Sequence, residues 1–358
     1  MTTDVILKNE EQAVFALRRL YQRYGYVPYK MSRFEEYDLY VRNKDFLLSD
    51  RIITFSDARG RLLALKPDVT LSIVKNAPEE SGVVQKVYYN ENVYRDYREI
   101  MQTGLECVGD LGEYEIGEVV LLAVKSMELL GCPYVLDLSH MGLIAAVLEG
   151  SGLDGKQKKQ AMECIRRKNI QELALVCGEN REAWEKLSVF SYGRGGREFL
   201  DRARQQLTTE AEKTAWEELC AIYDFLEEQG CAGQVCIDYS ISSDLKYYSG
   251  VVFRGYLEGL PAGILSGGQY DKLPRKMGRN AKAIGFAVYL DLLQELKQEE
   301  NAFDVDTLIL HDGTVSRRAL AEAVEAAAKE GSVLVAGRLP QGRCWKRLIR
   351  FEKGERVI

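Results

Sequence analysis

The chain has 358 residues, 46% of them hydrophobic and 28% charged, which is an ordinary globular composition and enough for more than one core. The net charge of −6, with Lys and Arg scattered along the chain, argues mildly against a nucleic-acid-binding role. The eight cysteines form no Cys-x-x-Cys pair and there are only two histidines, so no zinc site is expected. The lack of a signal sequence and of a long apolar run predicts a cytoplasmic protein with reduced thiols and no membrane contact.

The first part of the chain predicts a helix followed by short strands. Apolar residues recur at helical spacing from Glu10 to Tyr24, and Gly25 follows where a left-handed C-terminal cap would lie. The segment GYVPYKMSRFEEYDLY comes next and fits a passage from helix to strand. Residues 51–55 and 61–65 flank Ser-Asp-Ala-Arg-Gly, whose turn-forming residues predict a hairpin.

A carboxylate and a hydroxyl stand two residues apart in the Lys-Pro-Asp-Val-Thr segment at residues 66–70. The proline fixes the backbone just before Asp68, and Asp68 together with Thr70 is suited to receiving an ammonium group. The same pattern predicts that Asp68 caps a helix running from Thr70 to Asn76. The sequence favours neither interpretation, and the two are compatible.

The stretch from Gln85 to Gly109 predicts two strands joined by a tight polar turn. On the second strand, Gln102 and Glu106 alternate with apolar residues, which places both on one face of the sheet. Gly104 between them leaves room for a group close to the backbone. A ligand-binding face and a merely solvated face fit this alternation equally well.

The middle of the chain is predicted to be mostly helical. A helix from Tyr114 to Leu130 is followed by a buried strand from Tyr134 to Leu138. From residue 141 to about residue 230, charged sequence with few β-branched runs predicts an inserted helical subdomain. Its basic stretch from Lys156 to Lys168 fits a solvated helix face better than a contact with RNA or a partner.

Strand-forming sequence returns after the helical segment, with a predicted strand at residues 235–239. The aromatic pair Tyr247-Tyr248 precedes another strand and fits either a ligand site or a strand-end core. Glycines within residues 266–273 and 283–292 let the backbone approach a ligand or a helix closely. Residues 302–358 contain strand, helix, strand and a basic end, which predicts a small α/β segment.

Several of these segments resemble the motifs of class II aminoacyl-tRNA synthetases, above all those of the histidyl branch. GYVPYKMSRFEEYDLY is similar to the first motif, a helix and strand at the dimer interface, although the family's proline is Ser32 here. The hairpin with Arg95 and Gln-x-Gly-x-Glu resembles the second motif, and Gly-Phe-Ala at 285–287 resembles the third, which a helix follows. The Tyr247-Tyr248 segment and Gly-Gly-Gln-Tyr-Asp at 267–271 are similar to segments specific to the histidyl branch. The resemblance covers roughly residues 5–295.

Four departures separate the chain from a working histidyl-tRNA synthetase. Six residues separate Arg95 from Gln102, where the family has a longer loop that reaches adenine and the tRNA acceptor end. The family's activating arginine falls on Ser243, the third-motif arginine that clamps ATP falls on Leu292, and residues 302–358 are too short for an anticodon-binding domain. Because amino-acid activation depends on positive charge placed around the phosphoryl group, losing two arginines predicts a loss of several orders of magnitude in rate.

This combination resembles the non-catalytic paralogues of histidyl-tRNA synthetase that act as regulatory subunits of ATP phosphoribosyltransferase. The resemblance implies an α+β fold, a class II antiparallel sheet flanked by helices. Its expected parts are a core at 1–140 and 233–298, a helical insertion at 141–232 and a small C-terminal α/β appendix at 302–358. It also implies a dimeric core within a hetero-octamer containing the short-form catalytic subunit, which needs this chain for activity and for histidine feedback in the first step of histidine biosynthesis. No catalytic residue, cofactor, metal or tRNA is expected.

The resemblance further implies a retained amino-acid pocket with histidine as the candidate ligand. The expected pocket residues are Asp68, Thr70, Arg95, Arg98, Gln102, Glu106, Tyr247 and Tyr248. Histidine binding in this pocket and at the interface between subunits are both compatible with the sequence. The alternative function is a degenerate synthetase-like enzyme that activates histidine or a similar amino acid, for which arginines at positions 243 and 292 would be diagnostic. An RNA sensor would need a basic RNA-facing domain, which the sequence does not predict.

Overall fold

The computed structural model describes residues 8–47, 51–77, 82–241, 247–295 and 303–357. The chain divides into two compact units, Met1–Leu296 and Lys297–Ile358. The α-helices are α1 Asn9–Arg23, α2 Tyr37–Arg42, α3 Thr70–Lys75, α4 Glu113–Leu129, α5 Met141–Glu149, α6 Gly155–Arg166, α7 Ile170–Cys177, α8 Arg181–Tyr192, α9 Arg197–Arg204, α10 Glu210–Glu228, α11 Lys272–Lys276 and α12 Arg317–Ala328. The strands are β1 Val27–Pro28, β2 Phe34–Glu36, β3 Thr54–Ser56, β4 Leu62–Leu65, β5 Val84–Arg95, β6 Arg98–Gly109, β7 Tyr134–His140, β8 Arg194–Gly195, β9 Val235–Asp238, β10 Val251–Leu257, β11 Leu265–Gln269, β12 Lys282–Tyr289, β13 Val305–His311, β14 Val333–Ala336, β15 Trp345–Glu352 and β16 Glu355–Val357.

The first unit is built on a nine-stranded sheet with the strand order β1-β5-β6-β12-β11-β10-β7-β9-β8. Its central pairs, from β5–β6 through β10–β7, are all antiparallel, while β1–β5 and β7–β9 are parallel. Strands β2, β4 and β3 form a separate antiparallel sheet that contains the predicted hairpin around residues 57–60. The expected α+β architecture with an antiparallel sheet flanked by helices is therefore confirmed.

The hairpin of β5 and β6 is closed by a two-residue turn, Asp96-Tyr97, because Arg95 pairs directly with Arg98. Both turn residues have positive φ, 50° and 62°, as in the type I′ turns whose twist matches that of paired strands. The residues between Arg95 and Gln102 are thus turn and strand. The hairpin has no extended loop at its tip.

The two faces of this hairpin carry different chemistry, as the period-two alternation on β6 predicts. Leu105 and Cys107 belong to the main hydrophobic cluster, which also contains the buried faces of α1 and α4. Gln102 and Glu106 point to the opposite face, where Tyr89 of β5 belongs to a second cluster. The sheet therefore presents buried polar side chains on the face away from α1 and α4.

The segment from α5 to α10 is helical, apart from the two-residue strand β8, which pairs with β9 and which the sequence pattern did not predict. Its buried side chains, among them Leu143, Phe190 and Leu219, join the same cluster as α1 and α4. A buried ion pair also connects α8 to α10, with Lys186 Nζ 2.6 Å from Glu212 Oε1. The helices at 141–232 thus share the main core.

The chain after β12 forms a 3-10 helix, Leu290–Glu295, where the resemblance to the third motif predicts a helix. Leu290 and Leu293 are both buried, and this three-residue spacing suits the eclipsed geometry of a 3-10 helix. Among the described residues, no helix is long and apolar enough to cross a membrane.

The second unit contains a four-stranded sheet in the order β14-β13-β15-β16. Strand β13 is parallel to both β14 and β15, and β16 returns antiparallel to β15. Ser316 caps α12 by accepting a hydrogen bond from the backbone N–H of Ala319 at 3.2 Å. The basic end of the chain forms β15 and β16, two strands that the sequence pattern did not predict.

Candidate amino-acid-binding site

A small cavity of about 60 Å³ lies on the polar face of the main sheet. Strands β5, β6, β11 and β12 contribute to it, together with the segment before α3 and residues 247–248. The lining residues are Asp68, Thr70, Tyr89, Arg95, Gln102, Glu106, Tyr247, Tyr248, Ser266, Gly267, Tyr270, Gly285, Phe286, Ala287 and Tyr289.

Glu106 is buried, and hydroxyl groups engage both of its carboxyl oxygens. Thr70 Oγ1 donates to Oε1 at 2.7 Å, and the Tyr270 hydroxyl donates to Oε2. Gly285 on β12 pairs with Glu106, and a β-carbon at Gly285 would overlap Oε2. Burial raises the pKa of Glu106 to about 8, against the lowering effect of the two hydroxyl hydrogen bonds. A substantial fraction of this carboxyl group is therefore protonated at neutral pH.

Asp68 lines the cavity and also stabilises the start of α3. Its Oδ1 accepts a hydrogen bond from the backbone N–H of Leu71 at 2.9 Å, which satisfies one of the free N–H groups in the first helical turn. Burial raises the pKa of Asp68, while the Leu71 N–H and the positive charge of Arg95 act to lower it. Asp68 therefore stabilises the first turn of α3, as the capping interpretation predicts, and its side chain also lines the cavity.

Arg95 supplies positive charge to the same cavity and is 9% exposed. Its Nη2 donates to Gln102 Oε1 at 3.4 Å, and its guanidinium carbon lies 6.0 Å from the centre of the Tyr289 ring. Arg95 Nε is buried without a hydrogen-bond partner, which is costly and leaves a donor available for a ligand oxygen. The cavity therefore combines two carboxyl groups with a guanidinium, which matches the ammonium and carboxylate of an amino acid.

Aromatic rings form the remaining walls. The ring centres of Tyr247 and Tyr248 are 4.5 Å apart, and Tyr247 lies 5.9 Å from Tyr270. Burial raises the pKa of all three hydroxyl groups, so they are neutral donors and acceptors at physiological pH. On β6, a β-carbon at Gly104 would overlap the backbone carbonyl oxygen of Phe286 and would lie 2.7 Å from the Tyr89 hydroxyl oxygen, so the space that the sequence predicted beside this glycine is already occupied. The groups that lie against this glycine are thus part of the protein.

Most of the predicted pocket residues converge on this cavity: Asp68, Thr70, Arg95, Gln102, Glu106, Tyr247 and Tyr248 all line it. Arg98 is exposed at the start of β6 and is not one of the lining residues. Leu292 is partly buried and packs against the main hydrophobic cluster. Ser243 lies outside the described residues.

Several lining residues were not predicted from the sequence, and the largest side chains among them are those of Tyr89, Tyr270 and Tyr289. Gly285, Ala287 and Tyr289 alternate along β12, and Tyr289 pairs with Gln102 in the sheet register, so period two could have identified it. Tyr270 follows β11 within a segment already identified by its glycines. Among the described residues, no group of three or more His, Cys, Asp or Glu side chains could hold a metal ion.

In comparisons with known proteins, the chain is similar to histidyl-tRNA synthetases and to ATP phosphoribosyltransferase regulatory subunits. A family model described as histidyl-tRNA synthetase matches residues 6–293. An ATP phosphoribosyltransferase regulatory subunit from Clostridium kluyveri is 29% identical, over 85% of this chain and 83% of that protein. A crystal structure described as an ATP phosphoribosyltransferase regulatory subunit/histidyl-tRNA synthetase from Bacillus halodurans matches with a TM-score of 0.74 and 26% identity, over 96% of this chain and 93% of the other.

A more distant match is a chain in an ATP phosphoribosyl transferase (HisG:HisZ) complex from Thermotoga maritima, with a TM-score of 0.62 and 19% identity, over 78% of this chain and 97% of that chain. This likeness concerns the fold. The extended matches in sequence and structure show that the chain belongs to the histidyl-tRNA synthetase family and resembles, within it, the ATP phosphoribosyltransferase regulatory subunits.

Proposed function

We propose that this chain is the regulatory subunit of an ATP phosphoribosyltransferase and works in the cytoplasm with a short-form catalytic subunit at the first step of histidine biosynthesis. The similarity to regulatory subunits over most of both chains supports this role. The structural observation that carries it is a cavity whose charged groups are complementary to those of an amino acid, beside a hairpin that ends in a two-residue turn. A site for an amino acid is retained, while the loop that would extend toward ATP and tRNA is absent.

The chain performs no chemistry of its own. Activation of an amino acid depends on cationic groups placed around the transferring phosphoryl group. Leu292 occupies the position of one such arginine and packs against the core, and the sequence has Ser243 at the position of the other. Arg95 remains, but Tyr289 and Gln102 already contact it. The positive charge that activation needs is therefore largely missing.

The chain dimerises and assembles with the catalytic subunit into a hetero-octamer. The support for a catalytic partner comes from the names of the relatives and from the Thermotoga maritima complex, whose description pairs two kinds of subunit. Light scattering after gel filtration of the mixed subunits tests the assembly. We expect a species containing both chains in equal number and with the mass of an octamer, whereas separate elution at micromolar concentrations would contradict the proposal.

The cavity binds histidine. Asp68 and Thr70 suit its ammonium group, Arg95 suits its carboxylate, and the tyrosine walls suit the imidazole ring. Calorimetric titration of histidine into the chain and into the complex tests this assignment. Absence of binding in both would contradict it, and would leave the subunit interface as the site of feedback.

A further inference from the structure

The tip of the β5–β6 hairpin carries an exposed aromatic side chain on a backbone conformation that disfavours it. Tyr97 is 78% exposed, and its φ of 62° lies in the left-handed region. Two-residue type I′ turns favour glycine at this second turn position, because a β-carbon there crowds the backbone. A glycine at position 97 would therefore fit the turn better than the tyrosine does. The fold of the hairpin gives no reason for an aromatic residue at its tip.

The arginine beside the turn is a second local conflict. Arg95 and Arg98 are directly opposite in the strand register, so their β-carbons are about 5 Å apart on one face of the sheet. Like charges in this arrangement are destabilising. Within the part of the chain that the structure describes, the exposed side chain of Arg98 has no carboxylate partner, whereas Asp96 pairs with Arg51 at 3.8 Å. The Arg98 guanidinium is thus available to a carboxylate of another molecule.

We propose that Tyr97 and Arg98 form a docking point for the catalytic subunit, which offers an apolar cleft to the tyrosine ring and a carboxylate to the guanidinium. Tyrosine and arginine are enriched among the residues that dominate binding energy at protein interfaces. A carboxylate at Arg98 also offsets the repulsion between this side chain and Arg95. The inference rests on the proposed regulatory role.

The position of the tip supports the catalytic subunit as the molecule that binds there. Arg95 lines the amino-acid cavity, and Arg98 is its neighbour across the hairpin. Histidine feedback requires a coupling free energy between the amino-acid site and the surface that binds the catalytic subunit. Two adjacent arginines, one facing each ligand, place the two binding events close enough to influence each other.

Tyr97→Gly separates docking from folding, because the two are expected to respond differently. The melting temperature should equal or exceed that of the wild type, since glycine adopts positive φ readily. The affinity for the catalytic subunit should fall by about 30-fold or more. Surface plasmon resonance on the immobilised catalytic subunit measures the affinity, and scanning calorimetry measures the melting temperature. The matched control is Tyr192→Ala at an exposed tyrosine that ends α8, which should bind as the wild type does.

Two further variants test the chemistry of the contact. Arg98→Gln should lower the affinity by about tenfold or more at low salt, because it removes a charge-assisted contact. Its affinity should also respond less to added salt than that of the wild type, since salt screens an ion pair. Tyr97→Phe retains the ring and should keep most of the affinity.

Wild-type affinity in Tyr97→Gly would overturn the inference, as would an unchanged salt dependence in Arg98→Gln. A lower melting temperature in Tyr97→Gly would contradict the argument from backbone strain. If Tyr97→Gly alone has a smaller mass than the wild type in light scattering, the tip belongs to a contact between copies of this chain and the inference is overturned. In each case the regulatory role stands if the wild type binds and activates the catalytic subunit, whereas failure of the wild type to bind would overturn both.

Discussion

Replacing Glu212 with alanine is expected to lower the free energy of unfolding of the first unit by about 3–5 kcal/mol. Glu212 is fully buried, and its Oε1 lies 2.6 Å from Lys186 Nζ. Its Oε2 accepts the backbone N–H groups of Thr208 and Thr209 at 2.7 Å and 3.1 Å. Alanine would leave the buried Lys186 ammonium without a carboxylate to pair with and would leave these two N–H groups without an acceptor.

Chemical denaturation followed by tryptophan fluorescence measures this effect. Trp184 on α8 and Trp216 on α10 report on the helices that the ion pair joins, and a Trp345→Phe background removes the signal from the second unit. The matched control is Glu210→Ala in the first turn of α10, where the ion pair with Lys213 is exposed. That substitution should lower the free energy of unfolding by no more than about 1 kcal/mol. Similar losses for both alanine variants would contradict the prediction.

Two further readouts separate charge burial from simple loss of contacts. The double variant Lys186→Met, Glu212→Leu should be more stable than Glu212→Ala, because it leaves no unpaired charge. Burial acts to raise the pKa of Glu212, but Lys186 and the two backbone N–H groups outweigh it and hold the pKa below its usual value. The stabilisation should therefore be complete above the usual glutamate pKa of about 4.3 and be lost as the pH falls through the lower folded value.

The second large effect is expected at Gly285. Gly285→Ala should weaken histidine binding by about 100-fold or more and lower the free energy of unfolding by about 1–3 kcal/mol. A β-carbon there overlaps Glu106 Oε2 and crowds the carbonyl oxygen of Leu105, so the carboxyl group must leave its hydrogen bonds with Thr70 and Tyr270. Calorimetry with histidine and chemical denaturation measure the two effects.

The matched control for this substitution is Gly155→Ala. Gly155 begins α6 and has open space where a β-carbon would be, so alanine should leave histidine binding unchanged and stability equal or slightly higher. Gly285→Ala should also lower the free energy of unfolding by less in a Glu106→Ala background than in the wild type, because the overlapping carboxyl group is then absent. An equal loss of unfolding free energy in both backgrounds would show that overlap with the Glu106 carboxyl group does not cause the destabilisation.

The polar face of the sheet could be predicted because it depends on local alternation. Gln102 and Glu106 stand at period two on β6, and the structure places them on one face with their apolar neighbours on the other. The turn at Asp96-Tyr97 follows from the short distance between the two strands along the sequence. Convergence of Asp68 and the Tyr247-Tyr248 pair on the same cavity was predicted through the family resemblance, since these segments are far apart in the chain.

What the sequence did not reveal depends on contacts between distant elements. Tyr270 engages Glu106 across 164 positions of sequence, and Tyr289 reaches Arg95 through strand pairing. The two-residue strand β8 has no pattern of its own and exists because β9 provides its hydrogen-bonding partner. Arg98 shows the limit of motif reasoning, because a shortened hairpin leaves it exposed beside the turn.

The regulatory role is tested most directly by phosphoribosyl-ATP formation with the short-form catalytic subunit, measured with and without this chain and with and without histidine. Pyrophosphate exchange by this chain alone is measured in parallel. We predict substantial activity in the mixture only, suppression of that activity by histidine, and no exchange by the chain alone. The regulatory role would be contradicted by full activity of the catalytic subunit without this chain. It would also be contradicted by histidine-dependent pyrophosphate exchange by this chain alone, a result that would favour a synthetase-like enzyme.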